Sequence, residues 1–231
     1  MREAVSGGTA FGVPKTAPPG RAARLGLTET DPAARFAPTL PFLFFRLGDT
    51  QTFGAELVGR PDGLGALVVE FTAGEQVGGY GGSVGGWTTY PYHVAAVELG
   101  FVVPWFAVAQ RRVSQPSHKL YPDNRAVDLG TPDRRTNRMY ALHIDPVAPI
   151  GEHTVAPLRP WLPGALAPRV EGRPTVAIEV SGGWALAAVQ SRGLAVPDSV
   201  AANRQQRGLP GPWPDALLAM LRDLRSVLAA A

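Results

Sequence analysis

The sequence predicts an α+β fold: a mostly antiparallel sheet of about six to eight strands, few helices, and a C-terminal amphipathic helix packed on the sheet. Three observations carry this expectation. Apolar residues alternate with polar ones in runs that pair across turn signals, at residues 51–72 and again at 175–189. The 27 Gly and 23 Pro among 231 residues punctuate regular structure and leave little room for long helices. Clean helical spacing appears only after Pro214.

Taken in order, residues 1–30 mix Gly, Pro, Ala and Thr without an apolar period and are expected as a flexible lead-in. Residues 31–231 then make a single α+β domain. A short helix is expected from Asp31, with Asp31 as N-cap and Pro32 in the first turn, ending before Pro38 and Pro41. The run Phe42-Leu43-Phe44-Phe45 is expected to be buried. From Gln51 the period is two, placing Phe53, Ala55 and Leu57 on one face with Thr52 and Glu56 on the other. Arg60-Pro61-Asp62-Gly63 is a turn signal, and residues 64–72 return as a second strand.

Seven of the thirteen residues between Gly74 and Gly86 are Gly, so this stretch has no side-chain face to bury and is expected as a long mobile hairpin connection. Residues 87–99 and 105–110 read as strands, 111–136 as a polar loop with three prolines, and 137–144 as another strand. In 149–166, Val155, Leu158 and Leu162 have helical spacing, but Pro157, Pro160 and Pro163 limit the expectation to one or two turns. A second hairpin turns at Ser181-Gly182-Gly183. After a polar connection over 191–212, Pro214 and Asp215 open the last helix. Its stripe is Leu217, Leu221, Leu224 and Leu228, widened by Leu218 and Val227, with Arg222, Asp223 and Arg225 at or beyond the margin.

Hydrophobic content of 45% is ample for a core, and the net charge of +3 is small. Lys15 and Lys119 are the only lysines, an Arg-for-Lys balance that fits a GC-rich coding bias alongside abundant Ala, Gly and Pro. The closest basic cluster, Arg134, Arg135 and Arg138, is too short for a nucleic-acid surface, so no nucleic-acid partner is expected. The absence of cysteine excludes disulfides, thiolate metal sites and cysteine nucleophiles. No apolar core of secretory type opens the chain, and the most apolar stretch, 94–109, is broken by Glu98, Gly100 and Pro104. No transmembrane segment and a cytoplasmic location are therefore expected.

The run Tyr92-His93-Val94-Ala95-Ala96-Val97-Glu98-Leu99, then Pro104-Trp105-Phe106-Ala107-Val108, then Thr136-Asn137-Arg138-Met139-Tyr140, resembles in order a group of uncharacterised actinobacterial proteins of unknown function. The likeness spans roughly residues 40–190. Members of that group carry an aromatic-Asn-Arg run ahead of a strand, and Thr136 replaces the aromatic residue here. The resemblance implies one continuous domain and transfers no activity.

Candidate chemistry is sparse. Gly81-Gly82-Ser83-Val84-Gly85 fits a nucleophile-elbow pattern, but the strand-like Trp87-Thr88-Thr89-Tyr90-Pro91 follows where a helix is needed. The histidines, His93, His118, His143 and His153, lack the i, i+4 spacing of a helical metal site. His93 and His143 fall in expected strands, where they can face each other across a sheet or fill structural positions. Asn137 and Arg138 follow a long polar loop; Arg138 can hold an anion bidentately, or pin the loop through Asp128 or Asp133. Trp87, Tyr90, Tyr92 and Trp105 flank the glycine stretch and suit either a contact surface or a core.

The set Trp87, Tyr90, Tyr92, His93, Asn137, Arg138 and His143 thus defines the expected binding residues of a non-enzymatic binding or structural protein. Its expected partner is an unidentified protein or small molecule, with no cofactor and no metal. Two alternatives stand beside it: a small hydrolase-like enzyme with a dispersed site using Ser83, His93 or His143, and a PH-like lipid or peptide binder.

Overall fold

A computed structural model describes residues 20–77, 86–111, 121, 126–167, 175–191, 196–197 and 213–231. Within them the strands are β1 (Leu27–Glu29), β2 (Thr50–Gly59), β3 (Ala66–Val77), β4 (Gly86–Glu98), β5 (Phe106–Gln110), β6 (Ala126–Val127), β7 (Tyr140–Ile144), β8 (Thr175–Ser181), β9 (Trp184–Gln190) and β10 (Val196–Pro197). The helices are α1 (Arg21–Leu25), α2 (Arg134–Met139), α3 (Glu152–Leu166) and α4 (Trp213–Ala229). All strands join one antiparallel sheet in the order β1-β2-β3-β4-β9-β8-β5-β7-β6, with β10 paired to β4. Seven strands have five residues or more, which is the α+β sheet expected; β1, β6 and β10 are two- or three-residue additions. The long β4 meets β3 along one edge and β9, then β10, along the other.

Both faces of the sheet are buried, by different means. On one face α3 and α4 cover Leu57, Val68, Ala95, Val97, Val108, Leu142, Ile178 and Val180. On the other, the irregular segment 31–47 lies across the strands as a strap. Its Phe42, Phe44, Phe45 and Leu47 pack on Phe71, Tyr92 and Val94. The sheet beneath the strap is lined by Ala73, Ala96, Ala107, Ala109, Ala177 and Ala188, each at most 1% exposed. Methyl side chains leave room for the strap's backbone to approach the sheet, and that proximity matters for the carboxylates described below.

Several elements differ from the sequence expectation, each for a physical reason. Residues 20–29, grouped with the lead-in by composition, form α1 and β1, and Leu27, Thr28 and Glu29 pair with Gly59, Val58 and Leu57 of β2. The Asp31 helix is a single 3-10 turn at Pro32–Ala34, capped by the Asp31 carboxylate on Ala33 N–H at 2.8 Å. Phe53 does not share a face with Ala55 and Leu57. A β-bulge shifts the register between Phe53 and Glu56, so Phe53 joins the strap side and Glu56 follows it there. Residues 137–139, expected in a strand, complete helix α2, and the strand starts at Tyr140.

The proline-rich segment forms fifteen residues of helix, α3, where one or two turns were expected. Each internal proline removes an N–H and costs about 3 kcal/mol in a free helix. Burial of Thr154, Leu158, Leu162 and Ala165, spaced by four and three, overrides that cost, and Arg159 pairs with Glu152 at 3.1 Å. The stripe on α4 is buried as expected, with Arg222 and Asp223 exposed. Arg225 Nε donates to Leu99 O at 2.7 Å, and Arg222 meets Asp62 at 3.1 Å, which fixes the C-terminal half of the helix.

The β8–β9 turn has positive φ at both central residues, Gly182 (57°) and Gly183 (82°), as a type I′ turn requires. A Cβ on Gly182 would stand 2.9 Å from Pro41 Cγ, so this turn also touches the strap. Gly182→Ala is expected to destabilise the chain by about 1–2 kcal/mol from the left-handed backbone alone. Urea unfolding would check it, and a change below a few tenths of a kcal/mol would mean that the turn relaxes into another type.

Candidate functional site

The expected binding residues do not form one site; the sheet divides them. Odd-numbered residues of β4 from Trp87 to His93 face the helices, and even-numbered ones face the strap. Tyr92 is 1% exposed and stands edge-on to Phe44 at 5.2 Å, so it is core and not contact surface. Tyr90 is buried on the same side. Trp105 is half-buried there and donates its indole N–H to Glu179 at 3.0 Å. Only Trp87 of the aromatic set is well exposed, at 38%.

His93 and His143 do not face each other. Strands β9, β8 and β5 lie between β4 and β7, and the two imidazoles sit on opposite faces of the sheet. A hydrolytic centre that combines them is therefore not built. Ser83 and His118 lie outside the described residues.

On the helix face, His93 is register partner to Glu70 of β3, and its ring lies flat on Trp213, the first residue of α4. The ring centroids are 4.3 Å apart and the planes 13° from parallel. Burial pushes the Glu70 carboxyl up to about 7, against the opposing pull of a hydrogen bond from Ala55 N–H. That N–H belongs to the β2 bulge. Arg35 satisfies the adjacent Gly54 carbonyl, so both backbone groups of the bulge have side-chain partners.

On the strap face, His143 and Glu179 occupy one row of the sheet, on either side of Ala107. Tyr121 spans the space above that alanine, with its ring 5.4 Å from His143 and its hydroxyl donating to Glu179 at 2.9 Å. Glu179 is fully buried. It accepts from Leu43 N–H (2.8 Å), Phe44 N–H (2.9 Å), Trp105 Nε1 and Tyr121 OH. Burial raises its pKa despite those four donors, and pushes the Tyr121 phenol well up. A carboxylate offers about four lone-pair sites. All are engaged, which leaves Glu179 a holder of the strap with no lone pair for proton transfer.

Asn137 is also committed structurally: its carbonyl accepts from Thr131 N–H and Oγ1, and its amide donates to Thr131 O. Asp133 caps α2 through Thr136 Oγ1 and the N–H groups of Arg135 and Thr136, which together hold its carboxyl below its ordinary value. Arg138 neither pins Asp133 nor Asp128, whose guanidinium neighbour is Arg111 at 4.0 Å. It is exposed and makes no ion pair among the described residues.

The residues that sequence reasoning missed are glutamates. Glu56, Glu70, Glu98 and Glu179 each stand between two apolar residues within or at the end of a strand, and each accepts backbone N–H from irregular chain. Glu56 takes Phe36 and Ala37, Glu70 takes Ala55, Glu98 takes Gly65, and Glu179 takes Leu43 and Phe44. A lone acid inside an apolar strand run was the available signal. No group of three or more His, Asp or Glu among the described residues is placed to hold a metal ion, and none of their helices is long and apolar enough to cross a membrane. Compared with family models, with curated proteins and with solved structures, the chain finds no match.

Proposed function

We propose that the chain is a non-enzymatic binding protein whose contact surface is centred on Trp87, at the outer end of β4. The observation that carries this reading is the exposed indole itself. It stands on the helix face of the sheet, one residue into β4, with exposed Gln76 as register partner; the strands extend through residues 74–77 and 86, which were expected in the glycine-rich connection, and the rest of that stretch lies outside the described residues. Thr89 on β4 itself, Thr72 on β3 and Thr50 and Thr52 on β2 share this face, so groups that both donate and accept lie to one side of the indole. Tryptophan offers a rigid apolar area and is enriched where surfaces bind. Strands β2, β3 and β4 contain no Lys or Arg, which disfavours a phosphate-bearing partner and leaves a protein or a neutral small molecule. The engagement of Glu56, Glu179, Asn137 and Asp133 in holding backbone also favours binding over catalysis.

Trp87→Ala tests the proposal. The variant is expected to keep its circular dichroism and melting temperature, because the side chain is exposed, while losing the partners that the unaltered chain captures from its source cells. Identical partners on both chains would remove Trp87 from the contact surface.

A further inference from the structure

We infer that Arg134 and Arg138, on the outer face of α2, form a docking surface for an acidic segment of a protein partner. Successive residues of a helix are turned by about 100°, so Arg134, Arg138 and Arg135 share one side of α2. All three are exposed, while Thr136 is buried and Asn137 turns to Thr131. The fold makes no use of Arg134 or Arg138. Asp133 starts the helix through Thr136 Oγ1 and two backbone N–H groups, and Arg135 adds its charge to the hold on that carboxyl. Neither Arg134 nor Arg138 makes an ion pair or a side-chain hydrogen bond among the described residues.

Elsewhere each arginine whose side chain is described is engaged, apart from Arg46 of the strap. An acid holds the guanidinium, as at Arg60 and Arg222, or a backbone carbonyl accepts from it, as at Arg35 and Arg225. The two on α2 are also placed against local electrostatics. Like charges four residues apart on a helix repel, and a cation at the first helical residue opposes the macrodipole. Two local rules are broken with no return inside the chain, which is expected where a surface binds.

The occupant is anionic, and its form follows from spacing. A helix rises about 1.5 Å per residue, so the two side chains leave α2 about 6 Å apart along its axis. Alternate residues of an extended chain are about 6.7 Å apart. Carboxylates at positions i and i+2 of an extended segment therefore each meet one guanidinium fork. The surroundings of the helix disfavour a broader polyanion. Asp133 stands at its N-cap, Asp128 is exposed just after β6, and Glu152 is exposed on α3, which packs against α2. These acids repel a membrane surface or a phosphate backbone, and a short acidic segment avoids them. Strands β9, β8 and β5 separate β4 from β7, into which α2 leads, so this surface does not depend on what binds at Trp87.

The probe is a fluorescein-labelled peptide of alternating Glu and Thr, about ten residues long, titrated with the full chain and followed by fluorescence anisotropy. Binding is expected to saturate, and to weaken about tenfold between about 20 mM and about 150 mM salt. Arg134→Gln with Arg138→Gln should weaken it about tenfold at low salt. Arg24→Gln with Arg46→Gln removes the same charge elsewhere on the surface and should leave binding unchanged. The α2 variant should melt no lower than the unaltered chain, because it relieves the repulsion within the helix, so its loss of binding is not a loss of fold. Absence of saturable binding, undiminished binding by the α2 variant, or an equal loss in the Arg24 and Arg46 variant would overturn the proposal. So would tighter binding to phosphatidylserine vesicles or to single-stranded DNA than to the peptide, since the partner would then be a lipid or a nucleic acid.

Discussion

Replacing Glu179 with alanine is expected to destabilise the chain by about 4–5 kcal/mol, because one truncation strands four donors, two of them buried and two partly buried. Each buried donor left without a partner costs about 1–3 kcal/mol. Two of the four, Leu43 N–H and Phe44 N–H, belong to the backbone, so no apolar residue at position 179 can remove the demand it leaves. This separates Glu179 from an ordinary buried ion pair, for which a hydrophobic replacement of both partners is often neutral. The strap would also lose its orientation at Phe44, whose ring fixes Phe71 and Tyr92 at 5.8 and 5.2 Å. Against a typical total stability of about 5–15 kcal/mol, the variant should be marginal. Urea unfolding measures it directly. Glu179→Gln, which keeps the volume and one acceptor oxygen, is the variant to use if alanine does not fold; it should fall between alanine and the native residue. A loss below about 1 kcal/mol in either chain would mean that the strap finds other acceptors.

The same chemistry explains what could be read from the sequence and what could not. The hairpins, the C-terminal helix and the burial of Phe42, Phe44 and Phe45 follow from local periodicity, which one strand or one helix carries by itself. The errors arise where a distant partner decides. Three prolines argued against α3, and burial of Leu158 and Leu162 in the helix layer outweighed them. Strict alternation placed Phe53 with Leu57, but one extra residue in β2, held by Glu70 and Arg35, reversed the face. Tyr92 and Trp87 are indistinguishable as strand aromatics until strand register and the strap are known. For His93 and His143, facing each other stood open beside structural positions because nothing local records that β8 and β9, late in the chain, insert between β4 and β5. The candidate site was legible only in its residue types. The strand glutamates that organise it were visible as acids between apolar neighbours, but what they hold is far away in sequence, 136 positions for Leu43 and Glu179.

The stability of the chain is expected to fall as pH rises from about 4.5 to about 7, and Glu70→Gln should remove much of that fall. Burial holds the folded carboxyl at about 7, above the 4.5 of a free glutamate. Between those values the folded chain keeps a proton that the unfolded chain has released. Stability rises with pH only where the unfolded state binds more protons, so here it declines, and the loss is complete above about pH 7. At 1.36 kcal/mol per tenfold step, and allowing for the solvent that reaches this half-buried group, the decline is about 2–3 kcal/mol. Glu179 is raised as well and acts with the same sign, but it is common to both chains, so their difference isolates Glu70. The native chain should be at least as stable as Glu70→Gln near pH 4.5, since both then present a neutral side chain to Ala55 N–H. Near pH 8 the order should reverse, with the glutamine chain more stable. Denaturation curves that run parallel across the range would show that Glu70 ionises as an ordinary surface carboxylate, and that solvent already reaches it in the folded chain.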